Sequence, residues 1–285
     1  MKIIEKAFHF GSRKDLFTLV PLGDIHIGAR ACDEERLERV VARIAADPDC
    51  MWVGMGDYCE FINRNDPRFE PRALADWIKM SDLTDLARAQ KNRFLEIVEP
   101  IAPKCVALLE GNHEASITRF TERSIYREIV TEVKRMAGLP EDEKLGLGYY
   151  GWIRLRFVRS RKAVHYIHIN AHHGFTGGRL AGAKALNMQR WLWTHDADLA
   201  LMGHSHNTGM QVEAIESLNR QTGEVSYVNR VGAYTGTFLK SGVEGALTYS
   251  EVKGYLPMPV SGIEVVLKPG THLPMDKIKI ITSPL

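Results

Sequence analysis

Leu16-Phe17-Thr18-Leu19-Val20-Pro21-Leu22-Gly23-Asp24-Ile25-His26 is a β-prone apolar run that stops at a glycine, an acid and a histidine. Polar groups gathered where a buried strand ends face the open rim of a sheet. The same order of events recurs along the chain. Met51-Trp52-Val53-Gly54-Met55 runs into Gly56-Asp57-Tyr58-Cys59-Glu60, and Cys105-Val106-Ala107-Leu108-Leu109 leads to Gly111-Asn112-His113-Glu114. Residues 163–170 feed Ala171-His172-His173-Gly174, and Leu199-Ala200-Leu201-Met202 ends at Gly203-His204-Ser205-His206.

The intervening segments set the fold class. The stretch opening with Asp33-Glu34-Glu35 carries Leu37, Val40, Val41 and Ile44 at helical spacing. Helical patterning also covers 73–80, 83–98, 116–137 and 180–194, whereas 152–158 alternates apolar residues with Arg154 and Arg156. Beyond Met210 the pattern is one of strands and hairpins, closing with 262–267 and a proline-containing tail. Strand–helix alternation followed by strands predicts an α/β fold, a layered sandwich of two mixed β-sheets flanked by helices. We expect a single domain over 1–285, with 61–103 a helical insertion capping the site and 210–285 its mostly β carboxyl-terminal part.

Bulk properties narrow the function classes. A chain of 285 residues with 45% apolar and 25% charged residues can bury a sizeable core. A net charge of +2 excludes a global basic field, so a nucleic-acid partner would need a local patch. Arg154, Arg156, Arg159, Arg161 and Lys162 form such a cluster, read first as a solvated face. The amino terminus lacks the apolar stretch of a signal peptide and no window suits a membrane span, so a cytoplasmic protein is expected. Cys32, Cys50, Cys59 and Cys105 show no CxxC pair and read as buried reduced thiols.

Singly, each polar segment is ordinary turn chemistry. Gly-Asp and Gly-Asn are common turn dipeptides, and Asp-x-His or His-x-His also arises from a cap beside a satisfied core histidine. Together, their strand-end placement and complementary oxygen and nitrogen donors point to a hydrolytic centre for two metal ions. The run Gly174-Phe175-Thr176-Gly177-Gly178-Arg179 lacks the Lys-Ser/Thr of a P-loop and reads as a tight turn. Trp191 and Trp193 are expected to pack on the core, and His165, His168 and His195 to be structural.

In order, D-x-H at 24–26, GD at 56–57, GNH plus an acid at 111–114, a histidine after a strand, and GH-x-H at 203–206 resemble the calcineurin-like metallophosphoesterase superfamily. The resemblance implies an enzyme that hydrolyses phosphate esters with two divalent transition-metal ions, Mn²⁺ first, with Fe, Zn²⁺, Co²⁺ or Ni²⁺ as alternatives. It implies that Asp24, His26 and His206 bind one ion and that Asp57 bridges both. Asn112, His204 and one of His172 and His173 would bind the second; His173, directly before Gly174, is favoured. His113 resembles the family's general acid. Glu60 stands where the family's protein phosphatases carry an acid that buttresses that histidine, and is expected to hold His113 as the cation.

One departure matters. Those phosphatases follow that acid with Arg-Gly, the arginine gripping phosphate, whereas Phe61-Ile62 stand here. A Ser/Thr protein phosphatase is thereby disfavoured, and phosphate contacts are expected from Arg64, Arg119 or Arg179. The expected reaction is phosphodiester hydrolysis of a nucleotide or nucleic acid, by attack of a metal-bridging hydroxide with His113 protonating the departing oxygen. A phosphomonoesterase is the second reading and a non-catalytic metal-binding scaffold the third. The expected partner is the phosphoester substrate, with no membrane, and the oligomeric state stays open.

Overall fold

Two of the expected strands are apolar throughout, and both lie deep in the sheet. The computed structural model describes residues 2–121, 123–160, 163–175, 180–243, 257, 259–271 and 277–283. Strands β3 (Cys50–Gly54) and β4 (Cys105–Leu109) are buried at every position. Both run parallel to β2 (Phe17–Leu22) and β5 (Gly146–Gly148). A parallel strand covered on both faces has no solvent side, hence the unbroken apolar run. By contrast β6 (Tyr150–Ser160) alternates buried Ile153, Leu155 and Phe157 with half-exposed Arg154 and Arg156.

The remaining strands are β1 (Ile3–His9), β7 (Ala163–His172), β8 (Leu199–Met202), β9 (Thr208–Leu218), β10 (Val225–Thr237), β11 (Ser261–Leu267) and β12 (Ile278–Ser283). Hydrogen bonding links all of them in one twelve-stranded mixed sheet, in the order β1-β6-β7-β8-β10-β11-β2-β3-β4-β5, with β9 beside β10 and β12 beside β11. Two separate sheets were expected. Instead the halves are joined at β10–β11, by the pairs Gly236–Gly262 and Thr237–Ser261. Side chains from both halves, among them Leu19, Val53, Leu155, Ile169, Leu201 and Val265, share one buried cluster.

Helices cover the outer faces. α1 (Glu34–Ala46) starts at Asp33, whose side chain accepts from Arg36 N, and buries Leu37, Val40, Val41 and Ile44. It shares its core with α2 (Leu86–Val98) and α4 (Ile125–Met136), while α5 (Ala181–Thr194) packs Met188 and Leu192 on β8 and β10. Some expectations need correcting. The helix read over 116–137 is two helices, α3 (Asn112–Thr121) and α4, because Ser124 caps a fresh start. Residues 74–79 form no helix, lying between short 3-10 turns at Pro71–Ala73 and Met80–Thr84; 61–85 is mostly irregular. That stretch is stitched to the loop after His26 by Ala75 N→Gly28 O (2.9 Å) and Arg30 N→Ala73 O (2.7 Å). The edge strands β1 and β12 were not foreseen. Trp193 is 58% exposed rather than packed on the core.

All four cysteines are free thiols, three of them buried. Among the described residues no helix is long and apolar enough to cross a membrane.

Candidate metal centre

The five polar segments meet at the carboxyl ends of β2, β3, β4, β7 and β8, on one rim of the sheet. Past β2 and β3 the chain segments stay side by side: Asp24 N→Gly56 O (3.0 Å), Ile25 N→Asp57 O (2.9 Å), Ile27 N→Tyr58 O (3.0 Å) and Glu60 N→Ile27 O (3.0 Å). Asp24, His26, Asp57, His204 and His206 all have left-handed backbone, with φ of 48°, 61°, 51°, 63° and 54°. Each such residue costs on the order of 1–3 kcal/mol and persists only where its surroundings over-determine it. Phe61 is the one other non-glycine with positive φ among the described residues. Gly111 shows how close the segments come, since a Cβ there would lie 2.1 Å from Asp57 Oδ1.

Three clusters result among the described residues; His26, Glu60 and His113 form one, and the other two carry the ligands expected of a metal centre. Single ligand atoms of Asp24, His26 and His206 lie within 4.8 Å of one another, and so do those of Asp57, His173 and His204. In the first group His26 Nε2 and His206 Nε2 face each other at 3.2 Å. Asp24 Oδ1 is buried 3.4 Å from His206 Nε2 with no hydrogen-bond partner. Its other oxygen accepts from His204 N (2.8 Å), and its carbonyl accepts from Thr237 Oγ1 (2.8 Å). Lone pairs converging on a buried carboxylate oxygen suit a cation better than any neutral occupant. Burial opposes the charge on Asp24, but His206 and then His173 hold its carboxyl below the usual range.

In the second group His173 bonds Met55 O through Nδ1 (2.7 Å), aiming Nε2 at Asn112 Oδ1 (3.0 Å) and Asp57 Oδ2 (3.4 Å). With oxygen acceptors at both ring nitrogens, His173 must carry both protons unless a cation stands at Nε2. Burial disfavours the imidazolium charge, yet Asp57 outweighs it and lifts His173 to about 10. The proton occupies the place that a divalent ion would take, so the N/O donor set fits one. Burial likewise opposes Asp57, and His173 with His113 holds it well below the carboxylate range.

His172 stands apart from both groups. Its Nδ1 accepts from Gly174 N (2.7 Å), and its ring packs 4.9 Å from Trp191 and 5.6 Å from Phe175 on the outer face of the sheet. Successive strand residues point to opposite faces, so only one of the pair reaches the rim. Burial, and then His173, push His172 down to about 4.

Glu60 acts on His113 through its charge rather than through a side-chain hydrogen bond. Its carboxylate bonds His26 Nδ1 (2.8 Å), and it is the backbone carbonyl of Glu60 that bonds His113 Nδ1. The cause is the extended pairing above, which sets residue 60 beside 26–27. A carboxylate on Nδ1 fixes His26 with its Nε2 lone pair towards His206. His113 is buried, its ring 4.8 Å from that of His26. Burial works against protonating it, but Asp57, Glu60 and the Glu60 carbonyl raise it above the ordinary imidazole value.

Glu114 is a supporting residue that sequence reading left out of the site. Fully buried, it accepts from Asp57 N, Gly111 N and Tyr58 N, each at 2.8 Å, and so ties the second segment to the third. Burial and then Asp57 push it up to about 7 against those donors. Its signal was its place directly after Asn112-His113 at a helix start. Of the arginines expected to meet phosphate, Arg64 and Arg119 are exposed and contribute no contact to either donor group. Arg179, like Arg161 and Lys162, lies outside the described residues.

An α/β protein with two N/O donor groups on the rim of a mixed sheet belongs to the class built to hold divalent ions. The family model for calcineurin-like phosphoesterases matches residues 17–208, and the chain belongs to that family. No curated protein matches it. Among solved structures it is similar to Vps29 complexed with Zn²⁺ from Entamoeba histolytica, at 11% identity over 94% of this chain and 98% of that one, with a TM-score of 0.39. Vps29 from Cryptosporidium parvum gives 14%, 94%, 97% and 0.39, and a metallophosphoesterase from Sphaerobacter thermophilus 10%, 93%, 87% and 0.37.

Proposed function

We propose that this protein is a two-metal phosphoester hydrolase acting as a phosphodiesterase on a nucleotide or nucleic acid. The observation that carries the reading is His113, buried with its ring against His26, its backbone N–H on Asp57 Oδ1 and its Nδ1 on the Glu60 carbonyl. Asp24, His26 and His206 would hold one ion, and Asn112, His173 and His204 the other, with Asp57 between them. The family resemblance puts Mn²⁺ first, while the mixed imidazole and oxygen donors suit Fe, Zn²⁺, Co²⁺ or Ni²⁺ as well. When bound, a pair of divalent ions activates water at neutral pH and neutralises charge on phosphoryl oxygens.

The chain's own groups do the rest. With Nδ1 tied to the Glu60 carbonyl, His113 has Nε2 as its exchanging position, and its raised pKa keeps a proton there for a departing alkoxide. Glu114 and the Glu60 carboxylate keep Asp57 and His26 in place. Phe61-Ile62, where the family's protein phosphatases carry Arg-Gly, supports a diester over a phosphoprotein substrate. Four free thiols favour a reducing, cytoplasmic setting.

Turnover of bis-p-nitrophenyl phosphate, p-nitrophenyl phosphate and single-stranded DNA with Mn²⁺ tests this. The diesters should be cleaved faster than the monoester, and His113→Ala should lower kcat by about 10²–10⁴-fold with metal content unchanged. Preferred monoester turnover would make it a phosphomonoesterase. Protein that binds two ions and cleaves none of the three would sink the hydrolase reading.

A further inference from the structure

Leu86, Ala87, Phe94 and Val98 are buried on α2, and among them sits a polar side chain, Gln90, with no solvent exposure. Its spacing of three or four residues from Ala87 and Phe94 places it on the stripe that faces the core. An amide there costs free energy unless its atoms are bonded. Gln90 Oε1 accepts from Phe61 N (2.8 Å), whereas Nε2 finds no hydrogen-bond partner among the described residues. A methionine would fill the same space without burying an orphan donor, so what the position gains from glutamine is the acceptor.

That acceptor reaches the centre through one peptide. Phe61 N–H and the Glu60 carbonyl belong to the same planar unit, and in a trans peptide they point in opposite directions. The N–H donates to Gln90, and the carbonyl accepts from His113 Nδ1. Gln90 thus fixes the plane whose far side selects the His113 tautomer. The plane needs holding, because Phe61 is a buried non-glycine with φ of 50°, a conformation that persists only where neighbours impose it. On its other side the Gln90 amide packs against Gly28, where a Cβ would lie 2.3 Å from Nε2. Glu60 N is tied separately to Ile27 O (3.0 Å), and the Glu60 carboxylate to His26 Nδ1 (2.8 Å). Loss of the Gln90 acceptor therefore frees the peptide plane and leaves the brace on His26.

We infer that Gln90 is a positioning residue for His113, acting through the Glu60–Phe61 peptide to keep the proton on Nδ1 and the ring aimed. This rests on the hydrolase reading above, in which His113 protonates the leaving group. Hydrogen bonds on the two sides of one peptide also polarise each other, which strengthens the hold on Nδ1.

The test uses the metal-loaded full chain with an alkyl ester and a p-nitrophenyl ester of whichever phosphate class the wild type cleaves. Gln90→Met should lower kcat on the alkyl ester by up to about 10²-fold, at unchanged KM and metal content. The p-nitrophenyl ester should lose far less, because p-nitrophenolate departs without a proton. Gln90→Glu should recover part of the loss, since burial keeps the acid neutral and its carbonyl oxygen still accepts. In proton–nitrogen correlation spectra the His113 Nδ1–H signal should move upfield and exchange faster in Gln90→Met. Equal losses on both esters, losses that track metal content or thermal stability, or an unchanged Nδ1–H signal mark a structural role and overturn the inference. A wild type that binds metal and cleaves neither ester overturns the hydrolase reading, and the role of Gln90 with it. An active wild type with an equally active Gln90→Met overturns this inference alone.

Discussion

The donor cradle and the stretch at 61–85 meet at Phe61 and are built on opposite principles. In the cradle Asp24, His26, Asp57 and His173 are at most 3% exposed, and five residues hold left-handed backbone under cross-bonding from neighbouring segments. The stretch beyond has short turns, exposed side chains such as Met80 at 84%, and few buried anchors besides Asp66. Over-determined geometry keeps ligand atoms fixed when like charges crowd them, whereas a lightly held border can vary without disturbing the chemistry.

The hardest test of that contrast is Asp57→Asn, which keeps shape and removes charge at the junction of the two donor groups. Metal stoichiometry on the purified protein should fall below two, and turnover should drop by more than the about 10–100-fold that losing an outer-sphere partner costs. Met80→Ala should leave both unchanged, as surface substitutions generally stay within about 0.5 kcal/mol. Comparable losses in the two variants would erase the distinction.

Glu60 sits on the boundary and sharpens the contrast. Because its carboxylate holds His26 Nδ1, Glu60→Ala should weaken metal affinity by about 10–100-fold, with Glu60→Gln recovering part through its amide oxygen. Competition with a chelator measures this directly. If Glu60→Ala instead left metal affinity intact and altered only the pH profile of His113, the carboxylate would serve His113 after all.

The cradle was legible because strand-end ligands leave a local mark: apolar run, glycine, polar group. The glycine is steric necessity, as Gly111 against Asp57 shows. Which way Glu60 points was not legible, since it depends on bonds between segments more than thirty residues apart. His172 and His173 could be separated only by knowing which face of β7 meets the rim. The single twelve-stranded sheet was hidden because its join is only two residue pairs long, and β1 and β12 were missed at edges where burial leaves a weak pattern.

The smallest effect expected concerns the two neighbours at the end of β7. His173 is raised to about 10 and His172 lowered to about 4, so their contributions to stability fall in different pH windows. The raised group stabilises fully below about 6.5 and loses its contribution only as pH climbs towards 10. His172, neutral in the folded state, contributes above about 6.5 and loses it as pH falls towards 4, where the unfolded chain takes the proton first. In chelated protein, acidification from pH 7 to 5 should therefore cost the wild type about 1 kcal/mol more than His172→Phe, allowing for partial exposure of the ring. Phenylalanine keeps the packing on Trp191 and forfeits the bond from Gly174 N, a loss independent of pH that drops out of the comparison. Equal acid sensitivity in thermal melts of the two proteins would mean that the outer-face ring is as easily protonated as one in water, and that the two faces of β7 differ less than their packing implies.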